Sequence, residues 1–244
     1  MKIRNFLTIC VLLYLTFAST ACTNVSASSG GNTTTTQEAT PIDGDVNAVP
    51  KNAVKLQHKA YVTYFDTVAH YPVYVKWELT ASMVNCTTHA KRKNNFAADP
   101  LLENYTSLAK YYAHAGYDRG HNMDALDTEC DPTGDTEDEC FYYSNMCPQL
   151  PALNRGDWKE LETYCRNLAK KDGDITVWCG SIGHNGNLGI IWIPTYCWKV
   201  IIDRKTKTVE AYIMPNLVTV NNVTYDKYKV DIKVLEKQIG YQFN

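Results

Sequence analysis

The chain has 244 residues, 24 of them basic and 26 acidic, for a formal net charge of −2, and 45% of its residues are hydrophobic. A near-neutral balance argues against the broad basic surface of a nucleic-acid-coating protein, while leaving room for a local basic cleft. The length suits a single sizeable domain once the N-terminal segments are set aside, and there is no internal repeat.

Lys2 and Arg4 precede an apolar run from Ile9 to Phe17, followed by Ala18-Ser19-Thr20-Ala21. Residues 1–21 therefore read as an export signal. The run is shorter than the ~20 apolar residues a membrane span needs. Two outcomes stay open at Cys22. Lipoprotein processing would make it a lipid-bearing N-terminus, although Ser19 sits where an aliphatic residue is usual. Ordinary cleavage after Ala21 would release a soluble product. The expected location is an outer or cell-surface lipoprotein, or a periplasmic or secreted protein. Losing residues 1–21 leaves 22 basic against 26 acidic residues, a net charge of −4.

Residues 22–52 carry Ser, Thr, Asn and Gly and few large apolar side chains, so they read as a flexible tether. As a coil it would hold the domain roughly 30 Å from an anchor. Residues 53–244 form the expected domain. Residues 60–65 and 72–79 alternate like strands, with Val73, Val75, Trp77 and Leu79 toward a core and Tyr74, Lys76 and Glu78 away. Residues 139–144 read as another short strand. Trp158, Leu161, Cys165 and Leu168 recur at helical spacing, marking a helix that ends near Gly173. Ile175–Cys179 is a buried strand. Leu188–Ile202 is an apolar strand region interrupted at Pro194, and a polar turn leads to a strand over Val209–Ile213. Ile232, Leu235 and Ile239 mark a last helix before Gly240. Strands and helices do not alternate regularly, which favours an α+β fold with a mostly antiparallel sheet.

Setting Cys10 and Cys22 aside leaves Cys86, Cys130, Cys140, Cys147, Cys165, Cys179 and Cys197. Export permits disulfides, and the odd count leaves at least one thiol over. Cys130 and Cys140 bracket a turn-rich acidic loop and are the expected pair. No CxxC occurs, which argues against a structural zinc site.

The run Asp118-Arg119-Gly120-His121 concentrates chemistry. His121 is a candidate general base, because imidazole titrates near neutral pH. Taken alone, the run also fits an Asp118–Arg119 ion pair beside a surface histidine. Asn154 offers a neutral amide oxygen to Mg²⁺, an ion that keeps most of its waters and needs few protein ligands. It also fits a plain helix cap. Glu162 is a candidate for holding metal-bound water, against an exposed pair with Arg166. In one straight helix Asn154 and Glu162 would lie about 12 Å apart along the axis. Asn154 is therefore expected before the regular helix, in a turn that Gly156 permits. Arg92 is a candidate phosphate clamp, within a Lys91-Arg92-Lys93 segment that equally fits a solvated basic turn.

These segments resemble the DNA/RNA non-specific endonuclease family of ββα-metal (His-Me finger) nucleases over about Tyr61 to Phe243. The resemblance rests on Arg92 with Phe96 and Asp99-Pro100, on Asp118–His121, and on Phe141 through Gln149 with Leu153-Asn154. Ile193-Pro194-Thr195, Trp198-Lys199-Val200 and Ile213-Met214-Pro215-Asn216 extend it. The resemblance implies a central antiparallel sheet with helices on its faces. Its catalytic unit would be a hairpin bearing His121 and the helix after Asn154. It implies His121 as general base, Asn154 as direct ligand of one Mg²⁺ that Mn²⁺ can replace, and Glu162 ordering metal waters. Arg92 and Arg119 would contact phosphate. Asp118, Asn145 and Gln149 would support the site or touch substrate. The implied activity is hydrolysis of DNA and RNA to 5′-phosphate ends, and the resemblance admits a homodimer. A phosphodiesterase for small nucleotides and a non-catalytic nucleic-acid-binding module are the competing readings.

Two departures stand out. Ala97-Ala98 replaces a frequent Arg-Pro, and eight acidic residues with no basic one lie between Asp124 and Glu139. Such a loop is expected to slow association with a polyanion.

Overall fold

The computed structural model describes residues 52–102, 108–217 and 224–243, all within a compact unit spanning Ala39–Asn244. The expected signal segment and the tether up to residue 51 lie outside the described residues. In chain order the strands are β1 (Ala53–Gln57), β2 (Val62–Asp66), β3 (Tyr71–Leu79), β4 (Asp118–His121), β5 (Met146–Gln149), β6 (Ile175–Ile182), β7 (Asn187–Leu188), β8 (Ile191–Trp192), β9 (Tyr196–Asp203), β10 (Val209–Pro215) and β11 (Lys229–Val230). The helices are α1 (Ala81–Val84), α2 (Ala109–Tyr112), α3 (Asp135–Cys140), α4 (Pro151–Asn154), α5 (Asp157–Asp172) and α6 (Ile232–Ile239).

One sheet runs in the order β1-β2-β3-β6-β9-β10-β11, with every neighbouring pair antiparallel. The α+β expectation holds. β3, β6 and β9 are rich in β-branched and aromatic residues and buried along most of their length. A sheet covered on both faces needs that composition. On one face Trp158, Leu161, Cys165 and Ala169 of α5 share a core with Val75, Trp77, Leu79, Ile175 and Val177. On the other, Leu235 of α6 joins Tyr241 and Phe243 over Tyr74, Trp178 and Trp198. Gly173 ends α5 at φ +100, and its N–H still donates to the Ala169 carbonyl at 3.2 Å.

The sequence pattern misplaces Val73 and Tyr74. Tyr64 pairs with Tyr74 but Phe65 pairs with Pro72, so Val73 is an extra residue in β3. This bulge shifts the alternation, and both Val73 and Tyr74 enter the α6-side core. Gly180 lies against it, and a Cβ there would stand 2.1 Å from the Val73 carbonyl oxygen.

The strand expected over residues 139–144 is instead the end of α3 and a 3-10 turn over Tyr143–Asn145, and β5 begins at Met146. Side-chain bonds there replace ladder pairing. Ser144 Oγ donates to Asp99, and Asn145 Nδ2 donates to the Met123 and Cys140 carbonyls at 3.0 and 2.8 Å. The disulfide expectation is corrected as well. Cys130 bonds to Cys86, their Cα atoms 5.6 Å apart. α3 turns Cys140 into a core with Phe141, where its thiol donates to the Glu137 carbonyl at 3.0 Å.

Candidate active site

β4 and β5 form a separate antiparallel pair that carries the Asp118–His121 run, with His121 opposite Met146 and Gly120 opposite Cys147. Gly120 lies under the fully buried Gln149 side chain, whose Oε1 would stand 2.1 Å from any Cβ at that position. That close approach explains why glycine separates the arginine from the histidine. Trp158, at the start of α5, donates from Nε1 to the His121 carbonyl at 3.3 Å and joins hairpin to helix. The ββα unit is therefore β4, β5 and α5.

The His121 ring is buried and packs edge-on against Phe141, centroids 5.0 Å apart, and against Phe96 at 5.6 Å. Phe96 and Phe141 meet edge to face at 5.0 Å. The same two rings carry the arginines. The exposed Arg119 guanidinium lies 3.9 Å from the Phe96 centroid, and the exposed Arg92 guanidinium lies 5.0 Å from that of Phe141. One aromatic platform thus gathers His121, Arg92 and Arg119.

Burial pushes the His121 pKa down to about 4. The Arg92 and Arg119 charges act the same way, against the Asp124 carboxylate and a hydrogen bond to the Arg119 backbone. Only a carbonyl acceptor for a ring N–H can favour the protonated form, so that bond fixes one nitrogen as donor. Nε2 is buried without a protein partner. At neutral pH the ring is uncharged and holds a free lone pair, as a general base must.

Asn154 is the last residue of α4, and Arg155-Gly156 separates it from α5. Gly156 makes the break, since a Cβ there would stand 2.5 Å from the Ala152 carbonyl oxygen. Asn154 and Glu162 are therefore not in one straight helix, as the spacing argument required. Asn154 Nδ2 donates to Asp118 Oδ2 at 2.9 Å. A carboxylate accepts only from the NH₂ end, so Asn154 Oδ1 is the end left for a cation. Asp118 also accepts from Arg155 Nε at 2.8 Å and Nη2 at 2.7 Å, so it pairs with Arg155 and not with its neighbour Arg119. Burial works against the Asp118 carboxylate, but the bonds from Arg155 and Asn154 outweigh it and hold its pKa below the usual range.

Glu162 is buried on α5, not exposed beside Arg166. Burial and the neighbouring Asp124 carboxylate push its pKa well above the usual range, against Lys199 and Arg166. A divalent cation would relieve that strain on the charged form. The neutral amide oxygen and the acidic side chain suit a hard, hydrated ion such as Mg²⁺.

Behind these groups lies a charge network that sequence reasoning missed. Arg166 pairs with Asp124 and lies 3.4 Å from Asp127 Oδ1. Asp127 Oδ2 accepts from Trp77 Nε1 at 3.0 Å. The Lys199 ammonium is buried, 4.5 Å from the Trp158 ring and 5.4 Å from the Trp77 ring. The network ties the loop after His121 to the helix bearing Glu162. The four-residue spacing of Glu162 and Arg166 was the available signal, but it suggested a surface pair.

Residues outside the acidic loop pair with several of its carboxylates. Lys93 Nζ meets Asp138 at 2.8 Å, Lys59 Nζ meets Asp135 at 2.6 Å, and the buried Glu137 accepts from the Lys93 backbone at 2.8 Å. The loop therefore anchors the arginine segment. His58, without an evident partner in the sequence, lies 3.0 Å from Asp99 and helps fix the other end of that segment. Asn145 and Gln149 are fully buried. Asn145 Oδ1 accepts from the Met123 backbone at 2.9 Å and braces the loop after His121, whereas the Gln149 amide packs over Gly120.

Residues 39–244 match the model of the DNA/RNA non-specific endonuclease family. The chain belongs to that family. It is 29% identical over 205 residues to Nuclease 1, mitochondrial, of Schizosaccharomyces pombe, covering 75% of this chain and 63% of the relative. It is 31% identical over 188 residues to a nuclease of Nostoc sp. (strain PCC 7120), covering 70% and 65%. The chain thus spans just under two-thirds of the length of these relatives. A chain in a crystal structure of an EndoG/EndoGI complex superposes with a TM-score of 0.70 at 28% identity, covering 78% of this chain and 84% of that one. The span matched by the family model, residues 39–244, includes both the hairpin and α5.

Proposed function

We propose that the protein is a Mg²⁺-dependent, sugar-non-specific endonuclease that hydrolyses phosphodiester bonds of DNA and RNA to 5′-phosphate ends. The observation that carries this reading is the Phe96–Phe141 platform, which sets an uncharged His121 beside two exposed guanidiniums. Family membership supports it.

In this reading His121 Nε2 takes the proton from the attacking water. Arg92 and Arg119 neutralise charge on the phosphoryl oxygens through charge-assisted hydrogen bonds. Asn154 Oδ1 and Glu162 are the residues that would hold the ion and its waters, and when bound it would supply stabilisation of charge on the leaving oxygen. Asp118 holds Asn154 in register. Sugar indifference follows if recognition is made through phosphate, which DNA and RNA share. The N-terminal segment is read as an export signal, with Cys22 as the candidate lipid site.

Digestion of plasmid DNA and of RNA, with Mg²⁺ and with EDTA, tests the reading. Cleavage of both polymers that EDTA abolishes is expected. Turnover of a dinucleotide with neither polymer cut would favour a small-nucleotide phosphodiesterase instead.

A further inference from the structure

The proposed reaction makes no use of Cys86, His89 and Cys130. Their two sulfurs and an imidazole nitrogen all lie within 4.8 Å of one another. Cys86 Sγ stands 3.7 Å from His89 Nδ1, and Glu129 Oε2 stands 3.4 Å from the same nitrogen. Around tetrahedral zinc, with bonds of about 2.0–2.3 Å, neighbouring donors lie roughly 3.3–3.8 Å apart. The separation between Cys86 Sγ and His89 Nδ1 is already that of one coordination shell. The two sulfurs are instead joined as a disulfide.

We propose that Cys86, His89 and Cys130, with a water as fourth donor, form a thiol-gated site for a thiophilic divalent cation such as Zn²⁺. Two equivalents of a small-molecule thiol reduce the disulfide by exchange. Cys86 and Cys130 leave as thiols, and the reductant leaves as its own disulfide. Both thiols then release protons to solvent as their sulfurs bind the metal, which keeps its oxidation state. Two thiolates and an imidazole select a soft or borderline ion, whereas the oxygen donors at Asn154 and Glu162 suit a hard one. The two sites therefore do not compete for the same metal.

The position gives the site a structural consequence. It lies where the segment bearing Arg92 meets the loop after His121, and the Ala90 N–H donates to the Glu129 carbonyl there at 2.7 Å. Disulfide and metal are alternative clasps on the same two stretches of chain. The sequence hid the site because its donors come as Cys-x-x-His and a single Cys on loops whose cysteines are 44 residues apart.

Cobalt(II) titration of the full chain, reduced with thiol and desalted anaerobically, tests the proposal. One equivalent of Co²⁺ is expected to give sulfur-to-metal charge-transfer absorption that Zn²⁺ displaces and excess Mg²⁺ does not. The oxidised protein should give none, and Cys130→Ser should remove the band. His89→Ala should weaken binding roughly tenfold or more. The His89 side chain is 56% exposed, so this variant keeps the test readable if the cysteine variant fails to fold. Absence of the band in reduced protein overturns the proposal. So does a band that survives Cys130→Ser, which would place the metal on other thiols, or one that His89→Ala leaves at full affinity.

Discussion

Asp118 and Asn154 are joined by a 2.9 Å hydrogen bond that runs from the amide NH₂ to the carboxylate. The bond links the first residue of β4 to the last residue of α4. It sets which end of the amide faces the proposed ion. Asp118→Ala should therefore leave the fold intact, raise the Mg²⁺ concentration needed for half-maximal cleavage, and lower affinity or activity roughly 10- to 100-fold. A Mg²⁺ titration of cleavage rate, with circular dichroism as the folding control, reads this out. An unchanged titration would mean that Asn154 does not depend on Asp118 for its orientation.

The buried His121 ring leads to a prediction about pH. A general base works deprotonated, and burial lowers its pKa to about 4. Protonation as pH falls through that value removes the base. Activity should thus be retained on going from neutral to mildly acidic pH, with the acid limb of kcat/KM well below the ordinary histidine value of about 6.5. A limb centred at 6.5 or above would argue against a buried base in the free enzyme.

Gly120 and Gln149 yield a packing prediction. A methyl group at position 120 would overlap the Gln149 side chain, with Oε1 2.1 Å away and Cδ 2.4 Å away. Gly120→Ala should cost about 1–3 kcal/mol, the usual range for overpacking. Thermal unfolding should show the loss, and the double variant Gly120→Ala/Gln149→Ala should recover much of it. No recovery in the double variant would locate the cost in the backbone of the hairpin.

Much of this site could be read from the sequence because its chemistry is local in the chain. Asp118–His121 occupies four consecutive residues, and the break before α5 followed from the axial distance between Asn154 and Glu162 combined with Gly156. α5 and α6 were legible from their apolar spacing. The failures came where tertiary contacts overrode local pattern. One extra residue at Val73 put it on the α6 side beside Tyr74, while Val75, Trp77 and Leu79 kept the expected face. Side-chain bonds made by Ser144 and Asn145 turned an apparent strand into a 3-10 turn. Cys130 found its partner on a distant loop. The buried Lys199 was hidden because an apolar strand pattern gives no sign that a lysine points between two tryptophans.

The central claim is that His121 serves as the base of a metal-dependent nuclease. Single-turnover cleavage of plasmid DNA and of RNA by wild type and His121→Ala, each with Mg²⁺ and with EDTA, tests it most directly. Wild type should cut both polymers only with Mg²⁺, and His121→Ala should fold normally yet cut both roughly 10²-fold or more slowly. A His121→Ala protein that cuts either polymer at the wild-type rate would contradict the account.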